Sequence, residues 1–345
     1  MNAAGAEGAW IAAVLEGLGA TARGPDVLVG IGDDAAVLHM PAGQHLVATV
    51  DMLVEGQHFT LGERGLSPED VGWKALAVNL SDIAAMGAQP RWALCSLGLP
   101  PGLDADFGRR LALGMAELAA RWGVRIVGGN VARVPERLVV DVTLLGSVER
   151  PLVRSGARAG DLLLVTGRLG AAAAGLAILR QAGRQGSPEL LAAQCRPVPR
   201  VAEGCALSGA AQWIHAACDI SDGLVWDLAR LGALSGAAGA TLWEECLPIP
   251  AGVRVAATSL EADPVRWALY GGEDYELLLA VPPEGESHLQ GCLAAAGLAP
   301  ATRVGVLDAG PGIRLARHPG AEGRPLPVRG WDPLAPGPVV QDCGE

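Results

Sequence analysis

Strand-length apolar runs alternate with helical stretches along this chain, and the alternation stops once and starts again. Val27 to Ile31, Leu46 to Val50, Trp92 to Leu97, Arg125 to Val127 and Leu138 to Leu145 read as strands. The clearest helix opens at Ser67-Pro68-Glu69-Asp70, with Ser67 as N-cap, Pro68 at the first helical position and acids in the first turn, and it closes at Gly87. A second helix spans Asp104 to Trp122. Glu149-Arg150-Pro151 then breaks the pattern. A new cycle follows: strand Leu162 to Thr166, helix Ala171 to Gln181, strand Trp213 to Cys218, helix Leu224 to Leu234. With 345 residues, 50% hydrophobic and 18% charged, the chain is too apolar for disorder and too long for one small core. The expectation is two α/β domains, 1–150 and 151–333. A flexible tail follows at 334–345, because the stretch around Pro333-Leu334-Ala335-Pro336-Gly337-Pro338 has no periodicity.

The basic residues exclude several functions. Of 26 Lys and Arg, one is lysine, Lys74. A P-loop needs Lys-Ser or Lys-Thr after glycines, and a protein kinase of the usual type needs a strand lysine after Val-Ala-Ile. Lys74 stands in Gly72-Trp73-Lys74-Ala75-Leu76 and fits neither. A net charge of −11, with arginines scattered, argues against nucleic acid. Seven cysteines without a C-x-x-C pair fit buried thiols in a reducing compartment better than disulfides or zinc. No apolar run reaches membrane-spanning length, and no basic residue precedes Arg23, so a soluble cytoplasmic protein without membrane partners is expected.

Gly30-Ile31-Gly32-Asp33-Asp34-Ala35 follows a strand and has Asp51 about 20 residues on, as in the dinucleotide fingerprint. Pro41 and Gly43 leave no room for the required helix, and two aspartates would repel a pyrophosphate. A strand, a tight return and a second strand ending at Asp51 fit better.

The acids carry more information. Asp33, Asp34, Asp51, Asp82, Asp219, Asp222, Glu273 and Asp274 lie beside glycine or in apolar surroundings at element ends. Asp82 shares a helical face with Val71, Ala75 and Val78, where an unpartnered carboxylate would be costly. Any one of these acids could be a buried group satisfied by amides or arginine. As a set they suggest a hard cation, for which Mg2+ with carboxylates, water and phosphate oxygens is the common case. Phosphoryl transfer then depends mostly on positioning and charge neutralisation. Asp219-Ile220-Ser221-Asp222-Gly223-Leu224 follows a strand and opens a helix, offering amides and a dipole to phosphate or forming an ordinary N-cap. Gly128-Gly129-Asn130 could let backbone approach an anion or make a tight turn. Gly271-Gly272-Glu273-Asp274-Tyr275 has a hairpin entry as its alternative. His58 could donate to a substrate or be an ordinary surface residue.

Taken in order, the segments 30–38, Thr49-Val50-Asp51, 55–59, 74–87, Gly128-Gly129-Asn130, Arg154-Ser155-Gly156, 219–224 and 271–277 resemble the thiamine-monophosphate kinases, over about Gly30 to Trp331. The resemblance implies the two-domain aminoimidazole-ribonucleotide-synthetase-like fold, of α/β class with mixed, α+β-type sheets. It also implies a homodimer built through the N-terminal sheets, with nucleotide and metal binding in domain 1–150. The implied reaction is ATP-dependent phosphorylation of thiamine monophosphate to thiamine diphosphate, in thiamine diphosphate biosynthesis. The implied ligands of several Mg2+ ions are Asp34, Thr49, Val50 through its carbonyl, Asp51, Asp82, Asn130, Asp219 and Asp222. ATP would meet Gly129, Asn130, Arg154 and Ser221, and the substrate His58, Glu273 and Trp331. No general base is evident, and an ionised phosphate nucleophile hardly requires one.

Two positions depart from the family pattern. Asn130 stands where Asp is usual, which implies one weakened metal site. Gly330-Trp331-Asp332-Pro333 replaces a His-Phe continuation. Within the superfamily, selenophosphate synthetases need a reactive N-terminal Cys or Sec motif that is missing, and hydrogenase-maturation relatives end in cysteine, whereas Cys343 is followed by Gly344-Glu345. The alternatives are a non-catalytic binder of thiamine phosphates and a related ATP-dependent enzyme with another acceptor.

Overall fold

In the computed structural model, which describes residues 13–14, 16–29, 37–236 and 239–331, the helix signalled by Ser67 runs over Pro68–Ala85 (α1). Ser67 Oγ accepts the Asp70 N–H at 3.2 Å while Asp70 Oδ2 accepts the Ser67 N–H at 3.1 Å, a reciprocal cap. Val71, Ala75 and Val78 are buried as their spacing predicts, but Leu76, Ala77 and Leu80 on other faces are buried too. Helix α1 is therefore enclosed through its middle. Lys74, the sole lysine, is completely buried on it.

The chain divides into two units: Met1–Ile83, Gln89–Glu149 and Ala182–Arg184 form the first, and Ala84–Ala88, Arg150–Gln181 and Gln185–Glu345 the second. The first carries a short antiparallel pair, Val27–Val29 (β1) with Val37–Leu38 (β2). These strands flank the glycine-rich segment, and the strand expected to return and end at Asp51 belongs instead to the main sheet. Its main sheet has the order β3-β6-β4-β5, built from His45–Val54 (β3), Gln89–Leu99 (β4), Arg125–Arg133 (β5) and Val139–Val148 (β6). Strand β6 is antiparallel to both neighbours. Strands β4 and β5 are parallel, joined by helix Ala105–Trp122 (α2), which starts at an Asp104 cap and ends at Gly123 in the left-handed region. One face of β6 is closed, with Val140, Val142 and Leu144 fully buried.

The second unit holds a seven-stranded sheet of order β13-β12-β9-β11-β7-β10-β8. Its strands are Leu162–Val165 (β7), Ala216–Asp219 (β8), Gly239–Trp243 (β9), Leu277–Val281 (β10), Thr302–Asp308 (β11), Gly312–Ala316 (β12) and Gly323–Leu326 (β13). All pairings are antiparallel except β12 with β9. Helices Ala171–Ala182 (α3), Leu224–Ser235 (α6), Ala251–Ser259 (α7) and Pro264–Tyr270 (α8) supply core residues such as Ala174, Leu228, Val253 and Trp267 against Leu163, Leu278 and Leu315. Between α3 and α6 lie Pro188–Cys195 (α4) and Val201–Ser208 (α5).

Two sequence expectations need correction. The strand expected from Trp213 begins only at Ala216, because Ala211–Trp213 forms a 3-10 turn. Gly128-Gly129-Asn130 does not follow the strand expected over Arg125 to Val127 but lies inside β5, which leaves out the alternative of a tight turn. A Cβ on Gly129 would run into the Cys95 carbonyl of β4, so glycine there serves strand packing at a register shift. Asp33, Asp34 and the tail 334–345 lie outside the described residues. Among the described residues no helix is long and apolar enough to cross a membrane, and six cysteines are free.

Candidate active site

Each unit carries its own cluster of expected site residues. In the first, Thr49 and Asp51 alternate with Val50 and Met52 along β3, and their partners on β6 are Leu144 and Val142, both fully buried. Thr49 and Asp51 therefore share the closed face, while Val50 and Met52 are 59% and 51% exposed on the other. Asp82 comes from the last turns of α1, and its Oδ2 accepts the Thr49 hydroxyl at 2.5 Å. Thr49 and Asp82, separated by 33 residues, are thus brought together.

The ladder also places the Val50 carbonyl. Glu55 N–H donates to Leu138 O at 2.9 Å, directly opposite in the register, so hydrogen-bonded pairs fall at odd positions of β3. The N–H and C=O of Val50 then point away from β6, on the edge of the sheet, where a carbonyl can serve as a ligand. His58 folds back on the end of β3: its ring Nδ1 accepts the Val54 N–H at 3.0 Å. A neutral His58 must then carry its proton on Nε2, as a donor.

Asn130 does not join this group. Its cross-strand row is Met52–Asp141–Ser96–Asn130, whereas Asp51 lies in the row Asp51–Val142–Cys95–Gly129. The exposed Asn130 amide is on the opposite face of the sheet from Asp51. Burial, with the charge of Asp141 on the neighbouring strand, pushes the Cys95 thiol of the Asp51 row up to about 12.

In the second unit β8 ends at Asp219, and the loop to α6 lies against the segment preceding β10. Ile220 N–H donates to Glu276 O at 2.8 Å, Tyr275 N–H to Ile220 O at 2.9 Å, and Glu273 N–H to Ser221 O at 2.8 Å. The close approach requires backbone in the left-handed region at Gly272 (φ 64°), Glu273 (φ 56°) and Tyr275 (φ 51°). A Cβ on Gly272 would stand 2.7 Å from the Ser221 carbonyl. Trp331 N–H donates to Asp222 O at 3.2 Å. Asp219, Ser221, Asp222, Glu273 and Trp331 are thereby drawn into one backbone-linked cluster, not a hairpin entry. Arg154 lies beside it, Nη2 3.8 Å from Asp219 Oδ1, and Arg230 Nη1 is 3.0 Å from Asp222 Oδ2.

Several residues of this cluster were not singled out in the sequence. Gln194 Nε2 donates to Glu273 Oε2 at 2.8 Å. Glu276, almost fully buried, accepts two 2.6 Å bonds from Arg200 and one of 2.7 Å from Thr166. Asp227, equally buried, accepts the Ser221 and Asp222 N–H groups on one oxygen, Oδ2, at 3.1 and 3.0 Å. Burial, with the nearby charges of Asp219 and Asp222, pushes the Asp227 carboxyl up to about 8. The Ser221 and Asp222 amides, which precede the helix, are thus turned to Asp227. A usable signal existed, since Asp227 lies on the same helical stripe as Leu224, Leu228 and Leu231, the criterion that marked Asp82.

Among the described residues no three His, Cys, Asp or Glu side chains converge into a cage that would hold a metal alone. The donors present are carboxylate, hydroxyl and carbonyl oxygens. Such a set fits a hard cation that takes part of its shell from phosphate and water, and does not fit a soft one. A cleft of about 450 Å³ in the first unit, lined by Leu61, Leu66, Phe107, Arg110 and Arg184 among others, includes none of the expected residues.

Known proteins share this construction. Residues 32–148 match the family model of the AIR synthase related protein, N-terminal domain, and 158–318 that of its C-terminal domain, which define a two-domain AIR synthase-like protein. The thiamine-monophosphate kinase of Escherichia coli K12 is 38% identical over 291 residues, 82% of this chain and 85% of the relative. The crystal structure of that kinase from Stenotrophomonas maltophilia K279a is 34% identical with a TM-score of 0.77, over 91% of this chain and 97% of its own. AaThiL complexed with AMPPCP and TMP is 33% identical with a TM-score of 0.74, over 87% and 91%. The chain belongs to the thiamine-monophosphate kinase family, within the AIR synthase-related proteins, and is an enzyme of kinase type.

Proposed function

We propose that the protein transfers the γ-phosphoryl group of ATP directly to the phosphate of thiamine monophosphate, with Mg2+ assisting. The observation that carries this reading is the backbone-linked cluster of Asp219, Ser221, Asp222, Glu273 and Trp331, in a chain similar to a protein solved with AMPPCP and TMP. A phosphate oxygen of the substrate attacks the γ-phosphorus, the bond to the β-phosphate oxygen breaks, and ADP leaves with the electron pair. The attacking oxygen is ionised at neutral pH, so no side chain has to remove a proton.

Thr49, the Val50 carbonyl, Asp51 and Asp82 would hold cations from the first unit, with Asp34 and Asn130 as further expected ligands, and Asp219 and Asp222 from the second. When bound, Mg2+ neutralises phosphate charge as the γ-phosphoryl group moves. Gly129, Asn130, Arg154 and the Ser221 hydroxyl would meet the nucleotide. The His58 Nε2–H would donate to the substrate. Glu273, fixed by Gln194, would accept from it, and Trp331 would cover its apolar part.

A homodimer completes the proposal. The outward face of β3 presents Leu46, Val50 and Met52 at 57%, 59% and 51% exposure, an apolar stripe suited to a second copy. Six free cysteines support a reducing, cytoplasmic setting. Incubation with ATP, Mg2+ and thiamine monophosphate tests the reading: thiamine diphosphate should appear in step with ADP. ADP without it would point to another acceptor.

A further inference from the structure

Helix α6 begins without a side-chain cap. Its N-cap residue is Gly223, at φ 114°, where a Cβ would stand 3.2 Å from the Tyr270 backbone. No Ser, Thr, Asp or Asn fits at that position without strain. The amides of the two residues before that N-cap are collected from inside, where Asp227 reaches back and accepts Ser221 N–H and Asp222 N–H on Oδ2.

This arrangement fixes two peptide planes. With their N–H groups turned inward, the carbonyls of the same two planes, Ile220 and Ser221, face Tyr275 N–H and Glu273 N–H. The Asp219 and Asp222 side chains are left on the flank where Arg154 and Arg230 approach. We propose that Asp227 is a positioning residue: through the Ser221 and Asp222 amides it holds the loop that carries Asp219 and Asp222 in register with Glu273 and Tyr275 for cation-dependent nucleotide binding. It does this as a hydrogen-bond acceptor, not as a cation ligand. The cation role of Asp219 and Asp222 rests on the function proposed above, whereas the amide contacts do not.

Three variants test this, each checked for folding by circular dichroism and thermal midpoint. Asp227→Asn keeps an acceptor oxygen without charge, Asp227→Ala removes the acceptor, and Asp227→Glu displaces it by one methylene. Two quantities are read: hydrogen exchange at the Ser221 and Asp222 amides, and the affinity for AMPPCP at fixed Mg2+ by calorimetry. Asp227→Ala should speed exchange at both amides and weaken AMPPCP, each by about tenfold, while Asp227→Asn stays within about threefold of the native protein in both. Should Asp227→Ala not fold, Asp227→Glu takes its place with the same expected direction. If Asp227→Asn weakens AMPPCP as much as the truncation does while its amides stay protected, the carboxylate is a ligand and the proposal is overturned. Unchanged amide exchange in Asp227→Ala, or in Asp227→Glu where that replaces it, overturns it as well. A native protein that fails to bind AMPPCP with Mg2+ would instead defeat the proposed function, and amide exchange would still decide the role of Asp227.

Discussion

The Thr49 hydroxyl donates to Asp82 Oδ2 at 2.5 Å, tying the edge strand of the first sheet to the enclosed helix α1. That bond orients the Asp82 carboxylate and keeps one of its oxygens polarised. Thr49→Val preserves shape and removes the donor, so the Mg2+ concentration for half-maximal thiamine diphosphate formation should rise about tenfold, while Thr49→Ser should stay within about twofold. Equal midpoints for Val and Ser would show that the hydroxyl has no part in cation binding.

A second prediction concerns the anchor beneath the Glu273 segment. Arg200 donates twice at 2.6 Å to Glu276, whose carboxyl burial pushes up and Arg200 pulls back down. Arg200→Ala would leave a buried carboxylate without its counter-charge, at a cost of about 3–5 kcal/mol. Urea unfolding should show it as a lower midpoint, and a loss under about 1 kcal/mol would mean that Thr166 and the Arg168 N–H suffice.

How far these features could be read in advance depended on sequence distance. The start of α1 was legible because Ser67 and Asp70 cap it across three residues. The link between Thr49 and Asp82 was not, because it depends on which sheet face α1 covers. Gly129 read as an approach for an anion or as a turn, and its packing against the Cys95 carbonyl of β4 is set by a strand pairing that no local signal shows. Asp227 was missed although its position among Leu224, Leu228 and Leu231 carried the same signal as Asp82. Nothing local pointed to the links of Arg200 with Glu276 or of Gln194 with Glu273, which span more than 70 residues.

The pH dependence of stability should carry the mark of Asp274. Both of its oxygens accept the Gly170 N–H, at 3.0 and 3.1 Å. Burial nevertheless pushes its carboxyl well above the ordinary 3.8, against the pull of that N–H and helped by the charge of Glu276. Above pH 3.8 the unfolded chain gives up this proton while the folded chain keeps it, so the folded state binds more protons and stability falls as pH rises towards the raised pKa. Asp274→Asn keeps an acceptor and cannot ionise. Its stability relative to the native protein should therefore grow with pH, by at most about 1.4 kcal/mol per pH unit. Urea unfolding between pH 4 and 7 in metal-free buffer measures this, and parallel curves would place the Asp274 carboxyl in the ordinary range.

Asn130 makes the sharpest test of the cation site. The residue type implies one weakened ligand, yet the register sets Asn130 across from Ser96 and Asp141, on the sheet face opposite Asp51. If Asn130 nevertheless contributes to a cation, Asn130→Asp adds a charged oxygen where a neutral one stood, and the Mg2+ midpoint of activity should fall about tenfold. If it lies outside the cation shell, the new carboxylate sits two strands from Asp141, about 10 Å away at ordinary strand spacing. At that distance and this exposure it repels Asp141 weakly and leaves the midpoint in place. A Mg2+ titration of the native chain and Asn130→Asp at constant ionic strength separates the two. An unchanged midpoint would remove Asn130 from the ligand set and leave Thr49, the Val50 carbonyl, Asp51 and Asp82 as the cation donors of the main sheet and α1.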